Sequence, residues 1–306
     1  MKVFNIDSIS ALEAKTVVTV GMFDGLHLGH RHLVDSLIAE ANAEGLSPLV
    51  VTFDNHPRQV LGSSPAFRLL STYEERLSLL DSCGVPTVAI VHFDADTAAL
   101  SACEFTRRYL CSRLNMQTLL LGYDNMFGSR ANNDFDLLPQ LATEKGFSVR
   151  RDEVVMLNGI EISSTKIRNA LATGDIKLAN AMLGYRYGLE GTVVHGRHIG
   201  SSLGFPTANI RPSSPFKMLP AAGVYALRAT VDGKTYAAMA NLGTQPTFNQ
   251  QNNELEVHLI DFDGDIYGRQ LKVEFVDRIR DIETFSSPEE LVDQLRRDRE
   301  KTRGLV

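Results

Sequence analysis

Read from the N-terminus, short apolar runs alternate with stretches whose apolar positions recur at helical spacing. Residues 16–21 (TVVTVG) form a β-branched run, and a helical pattern follows over 28–44. The couplet returns three times. PLVVTFD at 48–54 precedes a helix at 72–83, TVAIVHF at 87–93 precedes one at 101–114, and TLLLGYD at 118–124 precedes one at 135–145. Uninterrupted apolar strands with helices between them predict a parallel sheet buried on both faces. Four such units predict a doubly wound α/β domain, with ligands at the carboxyl ends of its strands.

The pattern changes after about residue 184. Runs at 189–194, 224–231, 235–240, 255–262 and 270–276 read as strands with little chain between them. Asp232-Gly233 separates two of them as a hairpin turn, and Asp263-Gly264 opens another connection. Short strands at close spacing predict an antiparallel barrel. Ser287-Pro288-Glu289-Glu290 is a capping box with proline at the first helical position, so a helix should run to about Arg303. The glycine-containing stretch 184–188 sets the expected boundary, giving domains of 1–184 and 185–306.

Composition narrows the field. With 31 basic and 37 acidic residues the net charge is −6, which argues against a general nucleic-acid binder. No run approaches the roughly 18 apolar residues of a membrane span. Asp7 and Glu13 sit where a secretory leader needs an apolar run. Cys83, Cys103 and Cys111 cannot all pair and show no Cys-x-x-Cys spacing, which fits a reducing compartment. The expectation is a cytoplasmic protein acting on small molecules, with neither nucleic acid nor membrane as partner.

The densest chemistry lies at Gly21-Met22-Phe23-Asp24-Gly25-Leu26-His27-Leu28-Gly29-His30, where a strand ends and a helix begins. A helix N-terminus attracts phosphate, and glycines let backbone approach an anion closely. His27 and His30 on the first turn can donate hydrogen bonds where charge develops on a triphosphate. A His-x-x-His pair also serves metals, but no third ligand stands at recognisable spacing. No Walker loop occurs. Ser163 can cap a second helix, whose first turns carry Ser164, Thr165 and Arg168, a second phosphate clamp. In the second half, Thr207 and Asn209 alternate along an extended segment and present hard oxygen donors suited to magnesium. An ordinary polar turn would show the same spacing.

These strings carry a resemblance. The His-x-Gly-His segment and Ile162-Ser163-Ser164-Thr165-Lys166-Ile167-Arg168 resemble the two signatures of the nucleotidyltransferase superfamily. Gly122-Tyr123-Asp124-Asn125-Met126-Phe127-Gly128 and Phe53-Asp54-Asn55-His56-Pro57 are similar to two of its ligand loops, departing at Asn125, Met126 and Asn55. Gly204-Phe205-Pro206-Thr207-Ala208-Asn209 resembles the signature of riboflavin kinases. Segments around Gly223–Ala226, Asn241–Phe248 and Leu255–Leu259 match in the same order, with Ser201 and Gln245 replacing arginines. Both halves together resemble the bacterial bifunctional riboflavin kinase/FAD synthetases.

That resemblance implies an α/β doubly wound, Rossmann-like nucleotidyltransferase domain, followed by an antiparallel β-barrel riboflavin kinase domain with a C-terminal helix. It implies ATP-dependent phosphorylation of riboflavin to FMN, then adenylylation of FMN by ATP to give FAD and pyrophosphate. ATP is then co-substrate twice, with Mg2+ as cofactor. The implied catalytic residues are His27, His30 and the general base Glu256. Implied ATP and phosphate contacts are Gly21, Phe23, Asp24, Gly29, Gly122, Asp124, Ser164, Thr165 and Arg168 in the first half, and Gly196, Gly204, Pro206 and Thr207 in the second. His56, Pro57 and Tyr225 would meet flavin, and Thr207 and Asn209 would hold the metal. Two other readings stay open: a nucleotidyltransferase acting on another phosphate ester, and a flavin-binding sensor.

Overall fold

The structure, a computed structural model, describes residues 1–306 apart from 61, 63–66, 124–125, 130–133, 196–202 and 244–254. The chain divides into two compact units, Met1–Ser163 and Ser164–Val306.

The first unit is built on a six-stranded parallel sheet of order β1-β4-β3-β2-β5-β6. Its strands are β1 (Lys2–Asn5), β2 (Thr16–Val20), β3 (Ser47–Phe53), β4 (Thr87–Val91), β5 (Met116–Leu121) and β6 (Ser148–Arg151). Alternate strand residues enter opposite cores. Val17, Val50, Val88 and Leu120 pack on the side of α1 (Leu28–Glu44), while Val18, Val51, Ala89 and Leu119 pack with Phe105 and Leu110 on the other. The continuous apolar runs are thus explained, since each strand is covered twice. Strand succession turns back at β2, whose neighbours are β3 and β5. The crevice at that reversal lies beside the loop that leaves β2. A small hairpin, β7 (Met156–Leu157) with β8 (Ile160–Glu161), lies outside the main sheet.

The second unit is a closed barrel of order β10-β13-β12-β11-β14-β9. Its strands are β9 (Gly188–Val194), β10 (Ala208–Pro212), β11 (Gly223–Val231), β12 (Lys234–Leu242), β13 (Leu255–Leu259) and β14 (Gln270–Arg280). Asp232 and Gly233 take positive φ in the turn joining β11 to β12, as the Asp-Gly pair predicts. The interior is filled by Tyr225, Leu227, Val257 and Phe275, each fully buried. The C-terminal helix Pro288–Leu305 begins at Ser287, whose side chain accepts the Glu290 N–H. It is fixed to the barrel by a buried ion pair, in which Arg280 Nε and Nη2 donate to the Asp298 carboxylate at 2.9–3.2 Å.

The compact division falls after Ser163, earlier than the glycine-based boundary at 184. Helices Ser164–Thr173 and Ile176–Leu183 group with the barrel. Asn180 explains why: its amide donates to the Phe275 carbonyl of β14 and accepts the Tyr187 N–H. The Ala221 N–H also bonds the Leu171 carbonyl. Glycines punctuate a helix end at Gly184, but interactions cross that point.

Candidate functional sites in the two units

In the first unit the chain leaving β2 adopts a costly conformation. Phe23, Gly25 and Leu26 all have φ between +33° and +79°. Such backbone persists only when its surroundings over-determine it, and Phe23 and Leu26 are buried to 1% and 0% exposure. His27 then caps α1, its Nδ1 accepting the His30 N–H at 3.3 Å. Because Nδ1 is the acceptor, the proton of neutral His27 lies on Nε2. The two imidazoles stack with centroids 3.7 Å apart, and Phe23 lies 5.2 Å from the His30 ring. Burial pushes the His30 pKa down to about 3, so it works as a neutral imidazole. Its Nδ1 is buried without a partner among the described residues. Gly29 allows the stack, since a Cβ there would lie 3.2 Å from His27 Nδ1.

Asp24 is placed differently from a phosphate contact. It is 3% exposed, and its oxygens accept the N–H groups of Leu70 and Ser71 and the Ser71 hydroxyl. It holds the loop rather than facing outward. His56 turns the chain after β3, its Nδ1 accepting the Arg58 N–H, with Pro57 opening the short helix Pro57–Val60. Gly122 follows β5, and its carbonyl accepts from Arg151 at 3.1 Å. Met126 is exposed. Asp124 and Asn125 lie outside the described residues.

Ser164, Thr165 and Arg168 begin the helix Ser164–Thr173, in the second unit.

The second unit carries a continuous row of side chains across five barrel strands. In register order these are Asn209, Glu256, Asn241, Val224 and Arg280. Directly paired residues face one side of a sheet. Their inward neighbours Val257 and Tyr225 fill the barrel, so the row lies on its outer wall. Between that wall and the C-terminal helix is a cavity of about 330 Å³, mostly apolar, lined by Phe205, Val224, Glu256, Arg280, Phe285 and Leu295 among others. A second cavity, of about 310 Å³, is lined by Pro206, Asp263 and Tyr267. Thr207 lines both.

His258, two residues beyond Glu256 on the same face, donates from Nδ1 to the Pro206 carbonyl at 2.8 Å. Burial lowers its pKa, although that bond opposes the shift. It fixes the strand that presents Thr207. Its string alone assigns it no role; its period-two relation to Glu256 is the available signal. Tyr267, with His195 stacked 3.9 Å away, carried no signal.

Tyr225 corrects an expectation. It is fully buried, donates to the Ala221 carbonyl and packs edge-on to Phe275. The pleat gives the cavity Val224 and turns its neighbour inward. Gly204 has φ +79° just before Phe205. Gly196, Ser201 and Gln245 lie outside the described residues. Among the described residues no three His, Cys, Asp or Glu are grouped to hold a metal. Thr207 and Asn209, two residues apart at the start of β10, carry a hydroxyl and an amide oxygen, hard donors whose chemistry fits magnesium beside phosphate.

Comparisons with known proteins agree with both halves. A riboflavin kinase family model matches residues 183–306, and an FAD synthetase model matches 9–166. The bifunctional riboflavin kinase/FMN adenylyltransferase of Escherichia coli K12 is 38% identical over 286 residues, covering 92% of this chain and 90% of the relative. The protein of the same name from Bacillus subtilis 168 is 33% identical over 293 residues, covering 94% and 92%. A solved structure described as a macrolide-efflux protein from Streptococcus pneumoniae matches with TM-score 0.88 and 33% identity, over 99% of both chains. That description belongs to the other protein; among the described residues here, no helix is long and apolar enough to cross a membrane. On matches that span both units, the chain belongs to the family of bifunctional riboflavin kinase/FMN adenylyltransferases.

Proposed function

We propose that the second unit transfers the γ-phosphoryl group of ATP to the 5′-hydroxyl of riboflavin, and that the first unit adenylylates the resulting FMN. The observation that carries the reading is the pair Glu256 and Asn241 on the wall of an apolar cavity, with Asn209 in register beside Glu256, and the Thr207 that this cavity shares with a second one. The apolar cavity suits the isoalloxazine ring, and the second suits a nucleotide. Glu256 accepts the proton of the 5′-hydroxyl as its oxygen bonds the γ-phosphorus and ADP leaves. Thr207 and Asn209 would hold magnesium, which would supply positive charge to the phosphate oxygens. Gly204 and Pro206 shape the strand that presents Thr207.

In the first unit an FMN phosphate oxygen bonds the α-phosphorus of ATP, and pyrophosphate leaves. His27 and His30 donate to phosphate oxygens, His30 as a neutral imidazole, with Gly21 and Gly29 permitting close approach. Within the second unit, Ser164, Thr165 and Arg168 offer a phosphate clamp of their own at the start of the helix Ser164–Thr173. His56 and Pro57 border the flavin. The activities divide along the chain at about residue 184, with helices 164–183 supporting the barrel. The protein acts in the cytoplasm, where Cys83, Cys103 and Cys111 stay as free thiols.

Incubation with riboflavin, ATP and magnesium, followed by chromatography of the flavins, tests the reading. FMN should appear first and FAD second, with one ADP released per riboflavin phosphorylated and one pyrophosphate per FAD formed. Flavin binding without turnover would overturn it in favour of a sensor.

A further inference from the structure

The helix Tyr73–Ser82 buries a cation where its own dipole disfavours one. Arg76 lies in the first turn, near the positive end of the helix. It is only 4% exposed. A buried charge is costly unless hydrogen bonds repay its lost hydration. Arg76 finds those bonds in two backbone carbonyls. Nη1 donates to Met22 O at 3.0 Å, and Nη2 donates to Phe53 O. Nε is buried without a partner among the described residues, and the guanidinium lies 5.6 Å from the Tyr73 ring centre.

Those carbonyls have a specific place in the sheet. The last rung between β2 and β3 runs from Gly21 N–H to Val51 O. Beyond it the strands part into separate loops. Met22 lies in the loop leading to His27 and His30, and Phe53 is the last residue of β3, just before the turn to His56 and Pro57. Beyond that rung the Thr52 hydroxyl of β3 reaches the Met22 carbonyl at 3.5 Å, and Arg76 adds a second, forked link that takes in the Phe53 carbonyl as well. The same helix entry grips the first loop again, because Leu70 and Ser71 donate to Asp24 and the Ser71 hydroxyl accepts the Gly25 N–H. Burial lowers the Arg76 pKa, and the nearby Asp24 carboxylate opposes that shift.

We propose that Arg76 is a positioning residue for adenylyl transfer. Its forked guanidinium sets the separation of the nucleotide loop after β2 and the flavin loop after β3. This rests on the reading of those loops given above. It touches neither substrate, so the individual binding sites survive its loss while the alignment of the reacting atoms does not. A lysine carries one nitrogen on a flexible stem and cannot hold both carbonyls in a fixed fork.

The test uses full-length Arg76→Ala, Arg76→Lys and His30→Ala, each assayed for FAD formation from FMN and for riboflavin phosphorylation in the same preparation. In Arg76→Ala, kcat for FAD formation should fall about 30-fold or more, the scale of a small misplacement of reactants, with KM for ATP changed less than about threefold. Arg76→Lys should recover only part of that loss. Riboflavin phosphorylation should stay within about twofold of wild type, reporting an intact chain. Added ethylguanidinium should raise kcat of Arg76→Ala saturably, and propylammonium should not. Wild-type kcat in Arg76→Ala or Arg76→Lys, equal rescue by the two cations, or equal loss of both activities overturns the proposal. His30→Ala separates it from the reading beneath: wild-type FAD formation in that variant overturns the nucleotide-loop reading itself. Loss in His30→Ala beside full turnover in Arg76→Ala overturns the positioning role alone.

Discussion

The two units handle phosphate with opposite kinds of construction. In the parallel-sheet unit the candidate site residues sit on loops beyond the strand ends, and buried polar groups hold those loops in strained shapes. Phe23 and Leu26 take positive φ, Asp24 and Ser71 tie the turn, and Arg76 bridges its base to β3. In the barrel unit the candidate site residues sit on paired strands. Asn209, Glu256 and Asn241 are aligned by the ladder that holds the barrel together. A site of the first kind can be damaged from a distance, through residues that touch no substrate. A site of the second kind is as rigid as its sheet, so losses there should come mainly from the side chains that face the ligand.

The sharpest way to break this comparison is Glu256→Gln. On a rigid strand it should remove only the proton acceptor, lowering kcat for FMN formation by about 10²–10⁴ while nucleotide binding and FAD formation from supplied FMN persist. Single-turnover kinetics beside nucleotide titration checks it.

A smaller effect tests how self-sufficient the barrel is. A fragment of residues 164–306 keeps Asn180 on Phe275 and Tyr187; one of 186–306 does not. The shorter fragment should phosphorylate riboflavin but unfold in urea with roughly 2–4 kcal/mol less stability, from the lost bonds and the groups they leave unpaired. Equal midpoints would show that the helices contribute nothing to the barrel.

Next in size is the pH dependence of the loop-built site. The unfolded chain protonates His30 near pH 6.5, whereas the folded chain keeps it neutral down to about pH 3. Its contribution to stability is therefore full above pH 6.5 and is lost as pH falls through that interval. Between pH 7 and pH 5 the wild type should lose about 2 kcal/mol more than His30→Asn, measured by urea unfolding. Parallel curves would mean that His30 titrates normally.

The mildest change is Gly29→Ala. Its Cβ would press on the His27 ring from 3.2 Å, while alanine suits the helix better than glycine. FAD formation should drop about tenfold with no loss of thermal stability, a separation that a strand-built site would not show.

The sequence made the centre of each unit legible and its edges obscure. β2 to β5 announce themselves because both faces are buried, so their centres are apolar or β-branched runs instead of an alternation. β1 and β6 are edge strands with exposed Lys2, Ser148 and Arg150, and edges are kept polar. β10 was read only as an extended segment because its apolar run is short. The motif strings gave Glu256 and Asn209, but their pairing depends on register, which residue order does not encode. Arg76 had no signal at all. In TYEERLSLLDSC it looks like one more solvated charge, and only tertiary packing buries it. Tyr225 stood one position out of phase with the cavity, an error that a pleat with period two converts into the opposite side of a wall.

Thr207 borders both barrel cavities, so they are separated in part by a wall one residue thick. A ligand that shifts that hydroxyl from one side changes what the other side offers. Linkage then fixes a symmetry: whatever factor a nucleotide applies to flavin affinity, the flavin must apply to nucleotide affinity. Two titrations, each with the other chamber filled and empty, close a thermodynamic square around this one side chain. A Thr207→Val change, which keeps the shape and removes the hydroxyl, should reduce the coupling that the square measures.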